Sequence, residues 1–259
     1  MTTGAERIAA AFSGHGHAAA LMPYLMGGHP DVRASAECGL AAADAGADLI
    51  ELGIPFSDPL ADGPVIHSAA THALSQGVRL HEVLGVAREV SEAVPVVLMV
   101  YANAVLARGA ERFVDDAAAH GASGLIVPDL PHDEAAAVRG ACDAAGLALV
   151  PLVAPTTTPE RLAEIGRDAR GFVYTVSLSG TTGERDALPA ELGQTVARVR
   201  AATAVPVAVG FGISTADHAR QVAAVADGVI VGSRIVRAAG EGGAAEVGAV
   251  VRELARGVE

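Results

Sequence analysis

Eight short apolar runs recur along the chain: 21–26 (LMPYLM), 48–52 (DLIEL), 96–101 (VVLMVY), 124–127 (GLIV), 147–153 (LALVPLV), 171–176 (GFVYTV), 205–209 (VPVAV) and 227–231 (DGVIV). Most lack strict polar–apolar alternation, the pattern of strands covered on both faces in a parallel sheet. Between them, 32–45, 80–93, 111–120, 133–145, 159–168, 189–202 and 214–224 carry apolar residues three and four positions apart, the helical period. Strands that alternate with helices over short links predict a parallel sheet with its helices outside.

Local signals support these boundaries. Thr158-Pro159-Glu160 places proline at a first helical position, and Ser214 and Ser233 are candidate caps. Gly46, Gly121 and Gly146 follow helical segments where a left-handed stop is needed. Eight repeats favour a closed (β/α)8 TIM barrel, read here as one domain over residues 1–259. Segment 6–12 reads as an extra helix plugging the barrel floor, and 246–255 as the closing helix. An open doubly wound sheet is the rival, but the first strand runs into Gly27-Gly28-His29-Pro30, which lacks the glycine spacing of a dinucleotide turn.

Composition excludes several functions. The net charge of −12 argues against nucleic acid and anionic membrane surfaces, since both demand cationic neutralisation. No run reaches the ~20 apolar residues of a membrane span, and the first residues lack a secretory core, so the cytoplasm is the expected compartment. Two cysteines, Cys38 and Cys142, lie in apolar helical segments and read as reduced core thiols. All 18 basic residues are arginine. A chain without lysine forms no Schiff base and has no phosphate-loop lysine. The histidines make no ligand cluster, so no metal site is expected and a metal-dependent aldolase is disfavoured.

Two connections are long: the one after the second strand, with an added helix over 63–75, and the one after the sixth, SLSGTTGERD. Barrel active sites are built from such loops at the C-terminal face. Gly210-Phe211-Gly212-Ile213-Ser214 ends the seventh strand and Gly232-Ser233 the eighth, where barrels commonly hold phosphate on backbone N–H groups. Gly183 can add a further N–H, and the alternative is glycine for tight turns alone. Glu51 is the penultimate side chain of a buried strand and should face the barrel mouth, either in a structural salt bridge or as a desolvated carboxyl able to act as acid and base. Asp58 before Pro59 suits an Asx turn, whereas Asp62 before Gly63-Pro64 either caps a helix or swings over the site.

Residues 51–64, ELGIPFSDPLADGP, together with the GFGIS and VGSRIV turns, resemble the tryptophan synthase alpha chain family over essentially the whole chain. The resemblance implies retro-aldol cleavage of indole-3-glycerol phosphate to indole and glyceraldehyde 3-phosphate. By position, Glu51 resembles the family's acid–base glutamate and Asp62 the aspartate that holds the indole N–H. Tyr24, Met99, Tyr101 and Val153 match positions around the indole pocket, and Tyr174 matches a tyrosine lining the site. Gly183, Gly212, Gly232 and Ser233 match the phosphate site, and Thr182 a loop residue that reaches the Asp62 loop on closure. Leu178 and His29 depart from residues some members carry, an arginine and an aspartate. The family further implies a beta-chain partner that holds pyridoxal phosphate, in an alpha2beta2 assembly, while this chain needs no cofactor. The 55–64 loop and the 101–103 end of the third strand would face that partner. Alternatives are a stand-alone lyase releasing free indole, a non-catalytic scaffold that activates a beta chain, and another phosphate-sugar barrel.

Overall fold

The computed structural model describes residues 2–14, 16–176, 191–210 and 212–259. Its nine strand segments are all parallel: β1 (Ala20–Met26), β2 (Ile50–Gly53), β3 (Val96–Met99), β4 (Ala122–Ile126), β5 (Ala148–Val150), β6 (Leu152–Val153), β7 (Val173–Val176), β8 (Val207–Gly210) and β9 (Gly228–Val231). Their order is β5-β4-β3-β2-β1-β9-β8-β7-β6. β5 and β6 stand at opposite ends of that order yet are separated in the chain by Pro151 alone. They are two halves of one barrel strand, the first bonded to β4 and the second to β7. The sheet is therefore the expected eight-stranded ring.

The helices are α1 (Gly4–Ser13), α2 (Val32–Asp44), α3 (Pro64–Ser75), α4 (Leu80–Ser91), α5 (Ala102–Leu106), α6 (Ala110–Ala119), α7 (Ala136–Ala145), α8 (Pro159–Asp168), α9 (Leu192–Arg200), α10 (Ala216–Ala223) and α11 (Ser233–Val258). Thr158 caps α8 by accepting from the Arg161 N–H, and Gly46, Gly121 and Gly146 take positive φ, as their positions predict. Thr215, not Ser214, caps α10; its hydroxyl accepts from His218 N at 3.1 Å. Gly232 occupies the cap position of α11, so Ser233 lies inside the first turn. α11 starts earlier than the 246–255 segment because two helices merge across a kink at Gly243.

Two apolar layers result. Outward strand residues pack with the helices, and inward residues of the strands and their leading ends, among them Met22, Leu49, Val97, Ile126, Phe172 and Ala208, fill the barrel. α1 seals the floor as expected. Ile8 joins the inner cluster, and the Phe12 ring lies 5.4 Å from that of Phe172. A reciprocal capping box starts α1: Thr3 Oγ1 accepts from Glu6 N, and Glu6 Oε2 accepts from Thr3 N. Cys38 and Cys142 are buried and free, and burial pushes their thiols up to about 11 and about 12. Among the described residues no helix is long and apolar enough to cross a membrane.

Candidate active site

At the mouth of the ring the last inward residues of neighbouring strands meet. Tyr24 on β1 is in register with Glu51 on β2, and Met26 with Gly53. Tyr174 on β7 is in register with Leu152 on one side and Ala208 on the other. Each tyrosine leans across a glycine two residues further along the next strand. A Cβ on Gly53 would sit 2.0 Å from the Tyr24 hydroxyl oxygen, and one on Gly210 2.2 Å from that of Tyr174. These glycines are the space that lets both rings lie over the mouth.

Glu51 is 2% exposed, and among the described residues neither carboxylate oxygen has a hydrogen-bonding partner. The salt-bridge reading is thus not the observed one. An acid with no compensating donor is stabilised in its neutral form. Burial, reinforced by the Asp62 charge, pushes the Glu51 carboxyl up to about 8. The phenols of Tyr24 and Tyr174 are raised well above their ordinary range, first by burial and then by the charges of Asp62 and Glu51.

Asp62 does not cap α3; that position is Gly63, without a side-chain cap bond, followed by Pro64. Its Oδ1 instead accepts from the Tyr101 hydroxyl at 3.0 Å. The same hydroxyl oxygen accepts from Ala61 N at 3.1 Å, and the Phe56 ring stacks on Tyr101 at 5.2 Å. Tyr101 thereby grips the 55–64 loop at three points. Burial raises the Asp62 pKa, and the Tyr101 bond and His67 partly offset it. Tyr101 itself is not in a strand. β3 ends at Met99, and Tyr101 is the N-cap residue of the short helix α5, which the sequence reading missed by running the strand to residue 101.

Met99 packs against both the inner cluster and the group around Tyr24, so it lines the mouth as expected. Val153 does not. It is buried on the outer face in the helix-packed cluster, with Leu162 and Ile165 of α8. The inward residue of β6 is Leu152, partly exposed and packed against the inner cluster, as is Val176. Leu152 is the apolar lining residue that the sequence reading missed. Its signal is the register with Tyr174, which only pairing reveals.

Gly212, at φ 74°, follows β8 and holds a conformation that side chains disfavour. Gly232 precedes the N-terminus of α11, where Ser233 is buried. A Cβ on Gly232 would lie 3.4 Å from Ile66 and 4.0 Å from Tyr24 Cβ, so this turn borders the Tyr24 side of the mouth. Free N–H groups at the start of a helix suit an anion. Thr182 and Gly183, like Leu178, lie outside the described residues. Among the described residues no group of three or more His, Cys, Asp or Glu is placed to hold a metal.

A closed parallel barrel with a near-neutral carboxyl, a second acid and a glycine-lined helix start around its C-terminal mouth defines a barrel enzyme working by acid–base chemistry. Comparison with known proteins narrows the class. The family model described as tryptophan synthase alpha chain matches residues 12–257, and the chain belongs to that family. It is 46% identical over 243 residues to the tryptophan synthase alpha chain of Synechococcus elongatus, covering 93% of this chain and 91% of the relative. It is 45% identical to that of Geobacter sulfurreducens, covering 96% and 95%. A solved structure of Mycobacterium tuberculosis tryptophan synthase superposes with a TM-score of 0.92 at 41% identity, covering 100% of this chain and 99% of the other.

Proposed function

We propose that this lyase cleaves indole-3-glycerol phosphate to indole and glyceraldehyde 3-phosphate with Glu51 as its acid and base. The observation that carries the assignment is the buried Glu51 carboxyl at the barrel mouth, without a hydrogen-bonding partner among the described residues and raised to about 8 by burial and the Asp62 charge. Carbon–carbon scission needs an electron sink. A chain without lysine has no iminium to offer, and the indole ring supplies the sink itself.

Neutral Glu51 donates its proton to indole C3, leaving positive charge on the ring nitrogen, which Asp62 stabilises. The resulting Glu51 carboxylate takes the proton of the glycerol 3′-hydroxyl. The C3–C3′ pair then flows into the ring, the aldehyde C=O forms, and the ring nitrogen becomes neutral. One proton leaves Glu51 and one returns. Met99, Leu152, Val176 and the tyrosine rings provide the apolar walls for the heterocycle, and Tyr24, Tyr101 and Tyr174 frame the two acids. The backbone around Gly212, Gly232 and Ser233 holds the phosphate, with Gly183 and Thr182 assigned to the same end from the family pattern.

The product indole passes to a beta chain that carries the pyridoxal phosphate, in an alpha2beta2 assembly in the cytoplasm. Support for the docking face is the placement of apolar surface. Leu60, two residues before Asp62 on the 55–64 loop, is 77% exposed, and Leu106, at the end of the helix that Tyr101 begins, is 56% exposed.

The test is indole release by the purified chain from indole-3-glycerol phosphate, with and without a beta chain. Wild-type protein should release indole, and Glu51→Gln should lose turnover while keeping its fold, because an amide exchanges no proton with substrate. Retained turnover in Glu51→Gln refutes the role. High activity that a beta chain leaves unchanged favours the stand-alone lyase.

A further inference from the structure

We propose that Asp129, an exposed residue after β4, is a positioning residue for the cleavage reaction, acting on Asp62 through Tyr101. The proposal rests on the lyase reading above.

Tyr101 stands at the N-cap of α5, where a side chain ordinarily accepts from the first free N–H groups of the helix. It makes no such bond, because its rigid ring carries the hydroxyl away from the adjacent backbone. Its one proton goes to Asp62 Oδ1 at 3.0 Å, and its oxygen accepts from Ala61 N at 3.1 Å. The open position is filled from the loop after β4: Asp129 Oδ1 accepts from Ala102 N, the first helical amide, at 2.8 Å. Asp129 thus supplies the cap that Tyr101 cannot, and an anionic acceptor suits the positive end of a helix.

The consequence follows from geometry. α5 is only five residues long, too short to hold its own first turn. Asp129 pins the backbone from which Tyr101 springs, and Tyr101 holds the acid on the 55–64 loop. Two hydrogen bonds, joined through the Tyr101–Ala102 peptide, connect the β4 loop to the Asp62 carboxylate. Misplacing a catalytic group by about 1 Å can cost as much as 100-fold in rate.

The experiment is steady-state indole release by the whole chain for wild type, Asp129→Ala, Asp129→Asn, Tyr101→Phe and the Asp129→Ala/Tyr101→Phe double variant. Asp129→Ala should lose roughly 10-fold in kcat with KM changed less than about 2-fold, since the phosphate anchor is elsewhere. Asp129→Asn, which keeps an acceptor oxygen, should stay within about 3-fold of wild type. The double variant should be no slower than Tyr101→Phe alone, because both changes cut the same path. Asp129→Ser, whose hydroxyl stops one bond short of the carboxylate oxygen, is the second probe should the alanine variant not fold. A near-normal kcat in the alanine or serine variant, an asparagine variant as slow as alanine, or losses that multiply in the double variant each overturn the proposal. Absence of turnover in the wild type refutes the lyase reading instead.

Discussion

Glu51 destabilises the fold when it is charged. A carboxyl whose folded-state pKa is raised from 4.5 to about 8 binds its proton more tightly folded than unfolded. Stability therefore falls as pH rises through that window, and the penalty is complete above it. Glutamine imitates the neutral acid in shape and carries no charge to desolvate. Glu51→Gln should thus melt close to wild type at pH 5 and be more stable at pH 9, by on the order of a few kcal/mol. Thermal unfolding of both proteins across that range checks this, and a pH-independent difference would contradict it. The residue scale also shows what a linear reading misses. That position 51 lies in a buried strand is visible in the sequence, because an acid within an apolar run is conspicuous, although the strand continues to Gly53. The parity of 152 and 153 is not. Every side chain in LALVPLV is apolar or proline, so a strand buried on both faces carries no alternation to say which residue looks inward. Pairing with Tyr174 decides it for Leu152.

Helices and strands were largely legible, for a physical reason: each barrel strand must be apolar on both faces, and each outer helix must show one apolar stripe. The boundaries moved where local chemistry overrode the pattern. Val96–Tyr101 reads as one apolar run, but β3 ends at Met99, and Ala102, whose N–H donates to Asp129, opens α5. That short helix and the 55–64 loop form the rim that carries Leu60 and Leu106. Leu60→Asp with Leu106→Asp should leave indole release by the isolated chain within about 2-fold, since both side chains are exposed and belong to neither apolar cluster. Stimulation by a beta chain should drop at least about 10-fold, as expected for a charge pressed into an apolar contact. Titrating each form with a beta chain measures both quantities, and undiminished stimulation would place the docking face elsewhere.

Over the whole molecule, the TIM-barrel expectation and the floor-plugging role of α1 agree with the structure, and the alpha-chain family accounts for nearly the full length. What the sequence leaves open is how the ring is joined. Proline has no N–H for a ladder, so the strand at 148–153 hands its partners over at Pro151: three residues serve one neighbour and two the other. A hoop is opened most cheaply at its splice. Amides of Leu152 and Val153, and those of β7 facing them, should exchange with deuterium faster than amides of β1, β2 and β9, whose neighbours are bonded on both sides. Uniform protection around the circle would show the splice to be as strong as the hoop. Otherwise this protein sheds its circularity before its layers, and its earliest unfolding event parts β6 from β7, on the side of the mouth where Tyr174 stands.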